Sequence, residues 1–205
     1  VFFVSLQLSS YSSSIQTTVR VFSGYAQIQK VGYLDKPRVR DFVADAEGIR
    51  GKIRQVPGVV NLALRGEGFG IVSSKSRSYG VQIVGVEPEK EGGVSSLPGL
   101  VKQGRYLGAA DQYAVVIGKR LAENLKVALG GENSVLGQGG DGSLAAGVFT
   151  VVGIFESGVE DFDRNLIETH LSTFRESFAL PERAAHSVVM TVGDVRDLPP
   201  VLTPI

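Results

Sequence analysis

The chain contains no cysteine and only two histidines, His170 and His186. Without cysteine there is no disulfide, no thiolate nucleophile and no cysteine-ligated metal, so the chain is indifferent to the redox state of its compartment. Neither sign of charge is in excess: 21 basic residues balance 21 acidic ones. With no basic field to attract polyanions, nucleic acid and anionic lipid surfaces are disfavoured as partners. Long hydrophobic runs are missing too. No stretch of about 18 apolar residues occurs, so no segment reads as membrane-spanning. The opening residues Val1-Phe2-Phe3-Val4 lack the basic region and cleavage site of a secretory leader. They begin without methionine inside an apolar stretch, which reads as a piece of a longer protein.

What is present is ordinary for a folded chain: 43% apolar and 20% charged residues over 205 positions. That length suits one sizeable domain or two small lobes sharing a core. Val4, Leu8, Tyr11, Ile15, Val19 and Phe22 recur every three or four residues, which predicts one apolar stripe on a helix over residues 1–23. Its other positions are mostly Ser, Thr and Gln, so packing must hold this helix rather than propensity. Gly24 ends it, and residues 25–29 alternate like a strand. Pro37 then stands near the start of a second helix, with Val39, Phe42, Val43, Ala46, Ile49 and Ile53 on its core face. Pro57-Gly58 closes that helix, and Val60, Leu62 and Leu64 alternate as another strand. A β-α-β unit with two parallel strands is expected.

From about Ile71 the texture changes to short strand-like runs at residues 79–86, 114–117 and 149–155, with one short helix at 119–127. Thr173 and Glu176 read as a capping box for a helix carrying Phe174 and Phe178. Residues 186–192 resume as a strand expected to rejoin the first sheet.

A search for chemistry finds none. The two histidines lie outside metal-ligand spacing, and His186, opening a strand, reads as a hydrogen-bonded structural residue. There is no nucleophile elbow, phosphate-binding loop or kinase signature. Gly66, Gly68 and Gly70 do not fit the dinucleotide fingerprint and read as a turn or bulge. In the glycine-rich run 137–143, Asp141 is the one carboxylate, too few oxygens for calcium, so a permissive hairpin loop is expected. Glu156, Glu160, Asp161 and Asp163 cluster as solvated acids, with Asp163 expected to brace the turn after the strand at 149–155. No catalytic residue, metal site or cofactor is assigned.

Several short signatures occur together in order. They are Gly24-Tyr25-Ala26-Gln27-Ile28, then Ile53 to Val59 with Pro57-Gly58, then Val84-Gly85-Val86-Glu87-Pro88. Gln103-Gly104-Arg105-Tyr106-Leu107 follows, with Val115 to Ala122, and lastly Phe149 to Gly158 with Asp163. In this order they resemble the extracytoplasmic domain of MacB/LolC/LolE-type ABC-transporter permeases, of the FtsX-like superfamily. The resemblance implies an α+β fold: a porter-like βαβ lobe, interrupted by a smaller mixed α/β (Sabre-like) lobe, with a long N-terminal stalk helix. On this reading residues 1–72 form the first part of the porter-like lobe, 73–180 the insert, and 181–205 the returning part.

The resemblance further implies a non-enzymatic domain on the periplasmic side of the inner membrane, between two membrane helices outside this chain. A cytoplasmic ATPase domain or subunit and a second permease copy are the implied partners, with movement coupled to export or extraction of lipoprotein, peptide or small molecule. A free-standing periplasmic binding module and an FtsX-like regulator of a cell-wall hydrolase are the alternatives. Lipoprotein-releasing members carry a longer, proline-bearing hairpin that engages a periplasmic carrier. Here residues 138–147 are short and glycine-rich, and Gln138, Asp141 and Ser143 are the expected contacts to a periplasmic partner protein.

Overall fold

A computed structural model describes residues 26–193. The expected stalk helix at 1–23 lies outside these residues. In chain order the elements are β1 (Ala26–Gln29), α1 (Ala46–Ile53), β2 (Val59–Ser73) and β3 (Ser78–Val86). Then come α2 (Pro88–Val94), a 3-10 turn (Leu97–Leu100), β4 (Val101–Gly104), β5 (Ala114–Gly118) and α3 (Lys119–Leu125). The series ends with β6 (Glu132–Gln138), β7 (Leu144–Phe155), α4 (Glu160–Asn165), β8 (Leu166–His170), α5 (Leu171–Ser177) and β9 (Ser187–Val192).

The first unit forms as the alternation implied. Strand β9 lies between β1 and β2 and is antiparallel to both, so β1 and β2 run parallel in one sheet. Helix α1 covers this layer with Ala46, Ile49 and Ile53 against Leu62, Leu64 and Val188. It starts only at Ala46, capped by the Asp45 carboxylate, which accepts from the Gly48 amide at 3.1 Å. The helix expected from Pro37 onward is therefore shorter. Val39 and Phe42 do pack on the core, but from a loop. Their backbone is committed elsewhere: the Val39 carbonyl faces His186 Nε2 at 2.8 Å, and the Val43 amide donates to Ala185 at 2.8 Å. Apolar spacing there records burial rather than a helical period.

Strand β2 runs past the glycines expected to turn it. Residues 59–65 pair with β9, residues 66–73 with β3, and 70–73 also with β6. Continuing around, β3 pairs with β8, β8 with β5, β5 with β7, and β7 with β6. Because β6 pairs back onto β2, six strands close a barrel. Its interior holds Val72, Val81, Ile83, Val115, Phe149 and Val151, with Leu121 and Leu125 of α3 and Phe174 of α5 in the same cluster.

Gly66 and Gly68 of β2 and Gly85 of β3 lie against the ring of Phe174, which occupies the space their side chains would need, while Gly70 lies against the Leu136 carbonyl. A Cβ on Gly66 would lie 2.3 Å from Phe174 Cδ1, and one on Gly85 would lie 2.4 Å from Phe174 Cβ. Phe174 stacks on Phe178 with ring centroids 4.4 Å apart. The helix bearing them begins at Leu171 with His170 as its cap, its Nδ1 accepting from the Ser172 amide at 3.2 Å. The Thr173 capping box is thus displaced: Thr173 is buried inside the helix.

Gly66→Ala should lower stability by about 1–3 kcal/mol through overpacking against Phe174. Urea denaturation of the variant alone and combined with Phe174→Leu checks this. The second change should recover part of the loss if the ring is the obstacle.

Candidate functional site

The residues singled out from sequence meet at one end of the barrel. Gln138 closes β6 and lies opposite Leu144 of β7. Between them residues 139–143 form the hairpin tip, as expected, though the flanking strands run further into the glycine-rich stretch than the sequence suggested. Asp141 Oδ1 accepts from the Ser143 amide at 2.9 Å, and the Ser143 hydroxyl and amide hold this carboxyl below its ordinary range. The Gly139 amide donates to Ser143 at 2.8 Å, and the Gly140 amide to the Phe178 carbonyl at 2.7 Å. The tip is therefore folded on itself and tied to the end of α5. Beside it lies a groove of about 470 Å³ lined by Arg38, Val39, Arg40, Phe69, Gln138 and Asp141, among others.

What the sequence did not reveal is the wall these residues belong to. Along β2 the buried Val72 faces inward, so Phe69 and Ile71 face outward. The registers Ile71↔Leu136, Leu136↔Ala146, Ser134↔Val148 and Gln138↔Leu144 put all these residues on one outer face. Phe69, Ile71, Leu136, Leu144 and Val148 are between 42% and 76% exposed. Five large apolar side chains on one face make a bare patch on the order of several hundred Å², the size that marks contact surfaces. The signal was present as strand alternation, but only barrel closure shows that the outward set is uncovered.

The opposite outer wall is covered. Val84, Val86, Val116 and Leu166 pack under Leu97, Leu107 and Tyr106. Where β2 leaves β9, Arg65 is buried in an ion pair with Glu91 of α2, and Glu168 of β8 accepts from the Tyr106 hydroxyl at 2.6 Å. Glu87 gathers Arg50, Lys90 and the Leu64 amide, tying α1 to β2.

The acids clustered in sequence do not converge on a cleft. Glu156 pairs with Lys119 at 2.9 Å, and Glu160 pairs with Arg164 in its own helix. Asp163 Oδ1 accepts from the Ser157 amide and hydroxyl, both at 2.7 Å, bracing the turn after β7 as expected. His186 is a buried structural residue: Nδ1 accepts from the Glu67 amide at 2.9 Å, and Nε2 donates to the Val39 carbonyl. Its ring stands edge-on to Phe42 and Phe174. Among the described residues no group of His, Asp and Glu is placed to hold a metal, and no helix is long and apolar enough to cross a membrane.

This architecture can be set beside known proteins. The family model described as the MacB-like periplasmic core domain matches residues 2–203. The chain belongs to this family. It is the periplasmic domain of a MacB/LolC-like ABC-transporter permease, and it is not an enzyme. A curated relative, the lipoprotein-releasing system transmembrane protein LolC of Neisseria meningitidis serogroup B, is 26% identical over 164 residues. That match covers 76% of this chain and 38% of the relative, so the chain spans well under half of its length. Among solved structures, the periplasmic region of MacB from Actinobacillus actinomycetemcomitans superposes with a TM-score of 0.56 at 15% identity, covering 82% of this chain and 73% of that one. The extracellular domain of the ABC-type transporter YknZ from Gram-positive bacteria gives 0.55 at 18% identity, covering 79% and 78%. At these identities the structures share the fold, and the expected α+β class holds.

In this MacB-like domain, burial holds the His186 imidazole down to about 4, against its ordinary 6.5. The unfolded chain takes up a proton below 6.5 that the folded one refuses until about 4. The stabilisation is complete above pH 6.5 and declines as pH falls towards 4, by about 3 kcal/mol in all. Urea midpoints measured across that window should fall in the wild-type chain, with a shallower fall in His186→Gln.

Proposed function

We propose that the domain transmits movement outside the membrane for an inner-membrane permease, with its bare β2–β6–β7 wall and hairpin tip meeting a periplasmic partner protein. A cytoplasmic ATPase, fused or separate, would drive the movement, and a second permease copy would complete the dimer. The cargo is a lipoprotein, peptide or small molecule moved by export or extraction. The observation that carries this reading is the contrast between the two outer walls. One is sealed by the segment from Leu97 to Leu107; on the other, among the described residues, Phe69, Ile71, Leu136, Leu144 and Val148 stand exposed next to Gln138, Asp141 and Ser143.

A core-filled barrel without a catalytic cleft suits rigid-body displacement, in which packed elements move as units between discrete arrangements. The relative named for lipoprotein release supports the lipoprotein branch of this reading. The five-residue tip at 139–143 supports a partner lying on the wall rather than one gripped by a long projecting hook. The division at 1–72, 73–180 and 181–205 is also our reading. It is supported by β9 of the returning segment pairing with β1 and with β2 up to Arg65, although β2 already takes β3 as partner from Gly66.

Ile71→Asp with Leu144→Asp in the full-length permease tests the contact face. Both side chains are exposed, so each change should alter stability by no more than about 0.5 kcal/mol. In the transporter reconstituted with its ATPase, basal ATP hydrolysis should persist while cargo movement is lost. Undiminished cargo movement by the folded double variant would overturn the assignment of this wall.

A further inference from the structure

Four ionisable side chains from four segments meet on the covered outer wall, where β2 exchanges β9 for β3. Arg65 of β2 and Glu91 of α2 are fully buried, and the guanidinium Nε and Nη2 both donate to that one carboxylate. Glu168 of β8 is equally buried. The Tyr106 hydroxyl reaches its Oε2, while Oε1 has no hydrogen-bond partner. The strand neighbours of Glu168 offer no further charge, since it stands opposite Val84 of β3 and Val116 of β5. Glu67, two residues along β2 from Arg65, is engaged by the hydroxyls of Ser187 and Tyr33. One cation therefore stands between two buried carboxyl groups and is spoken for by the first. Ionising the second puts an uncompensated charge in a site closed to water.

We propose that Glu168 is a proton-controlled latch on helix α2. While its carboxyl keeps the proton, Arg65 is left to Glu91 and holds α2 against β2 and β9. Once the proton leaves, Glu168 competes for the guanidinium, and α2 with the segment through Tyr106 comes away from the sheet. Among the described residues, the further ties of α2 are a neutral hydrogen bond, an apolar contact and the Glu87 ion pairs. Asn61 Nδ2 donates to the Gly93 carbonyl at 2.9 Å, and Val94 packs on Ala63 and Val189. Glu87, at the start of α2, is held below its ordinary value despite burial by Lys90 and Arg50, so it titrates on the acid side.

Burial first, then the charge of Glu91, lift the Glu168 carboxyl to about 8, against 4.5 when exposed. The hydroxyl of Tyr106 and the charge of Arg65 oppose this lift. Opening the segment thus releases a proton between those two values. The opening equilibrium rises with pH by up to about tenfold per unit, then levels off above pH 8.

Hydrogen exchange of the chain from about pH 5 to about pH 9, corrected for intrinsic exchange rates, tests the latch. Protection of residues 88–107 should fall along that slope and then flatten, while β5 amides do not follow it. Glu168→Gln should remove the slope. Tyr106→Phe, which deletes the bond favouring the ionised form, should move the plateau to higher pH. A wild-type chain without the slope, the same slope in Glu168→Gln, an equal slope in β5, or a plateau lowered by Tyr106→Phe would each overturn the latch.

Discussion

Fifteen residues of β2 have to find backbone partners along both edges, and most of the architecture follows from how they do so. A buried strand with unpaired amides is costly, so every part of β2 needs a neighbour. The first half finds β9, which returns from the far end of the chain and brings β1 with it. The second half finds β3 on one edge and β6 on the other, and this second pairing closes the barrel. The lone glycines along this strand let Phe174 and Phe178 press onto it from within.

The polar groups buried around β2 serve that geometry. His186 fastens the loop carrying Val39 to the sheet, Glu87 fastens α1, and Arg65 with Glu91 fastens α2. The Glu87 site borders an open groove of about 580 Å³ lined by Glu47, Arg50, Asn61 and Lys90, among others. Ionisable groups at such places are expensive to bury, and here they stand at junctions between elements. The chain's family is that of a permease's periplasmic core domain.

The two outer walls of the barrel differ in a way that bears on contact. Both present apolar side chains, because alternation along a strand places residues outward regardless of what lies there. On the β3–β8–β5 side the chain itself supplies the cover, from Leu97 to Leu107. On the β2–β6–β7 side none of the described residues supplies it, and the hairpin tip with Gln138, Asp141 and Ser143 rises at the edge of that exposed surface.

Local patterning was sufficient to read β1, β3, β5, β7, β9 and the parallel relation of β1 and β2 from sequence. It also gave the structural role of His186 and the brace at Asp163. The order of short signatures was sufficient for the family. It misled at Gly66 to Gly70, at Pro37 to Phe42 and at Thr173. At the glycines and at Pro37 to Phe42 a distant partner decides, the Phe174 ring and the Leu136 backbone in one case and the imidazole with the Ala185 backbone in the other; at Thr173 it is the neighbouring His170 cap that starts the helix earlier. The sequence by itself determined which residues alternate between core and surface along each strand. Only the tertiary structure decided which outward faces stay bare and which charges meet in the dark. Both depend on pairings between residues far apart in the chain, such as β6 on β2 and β8 on β3, which no local period encodes.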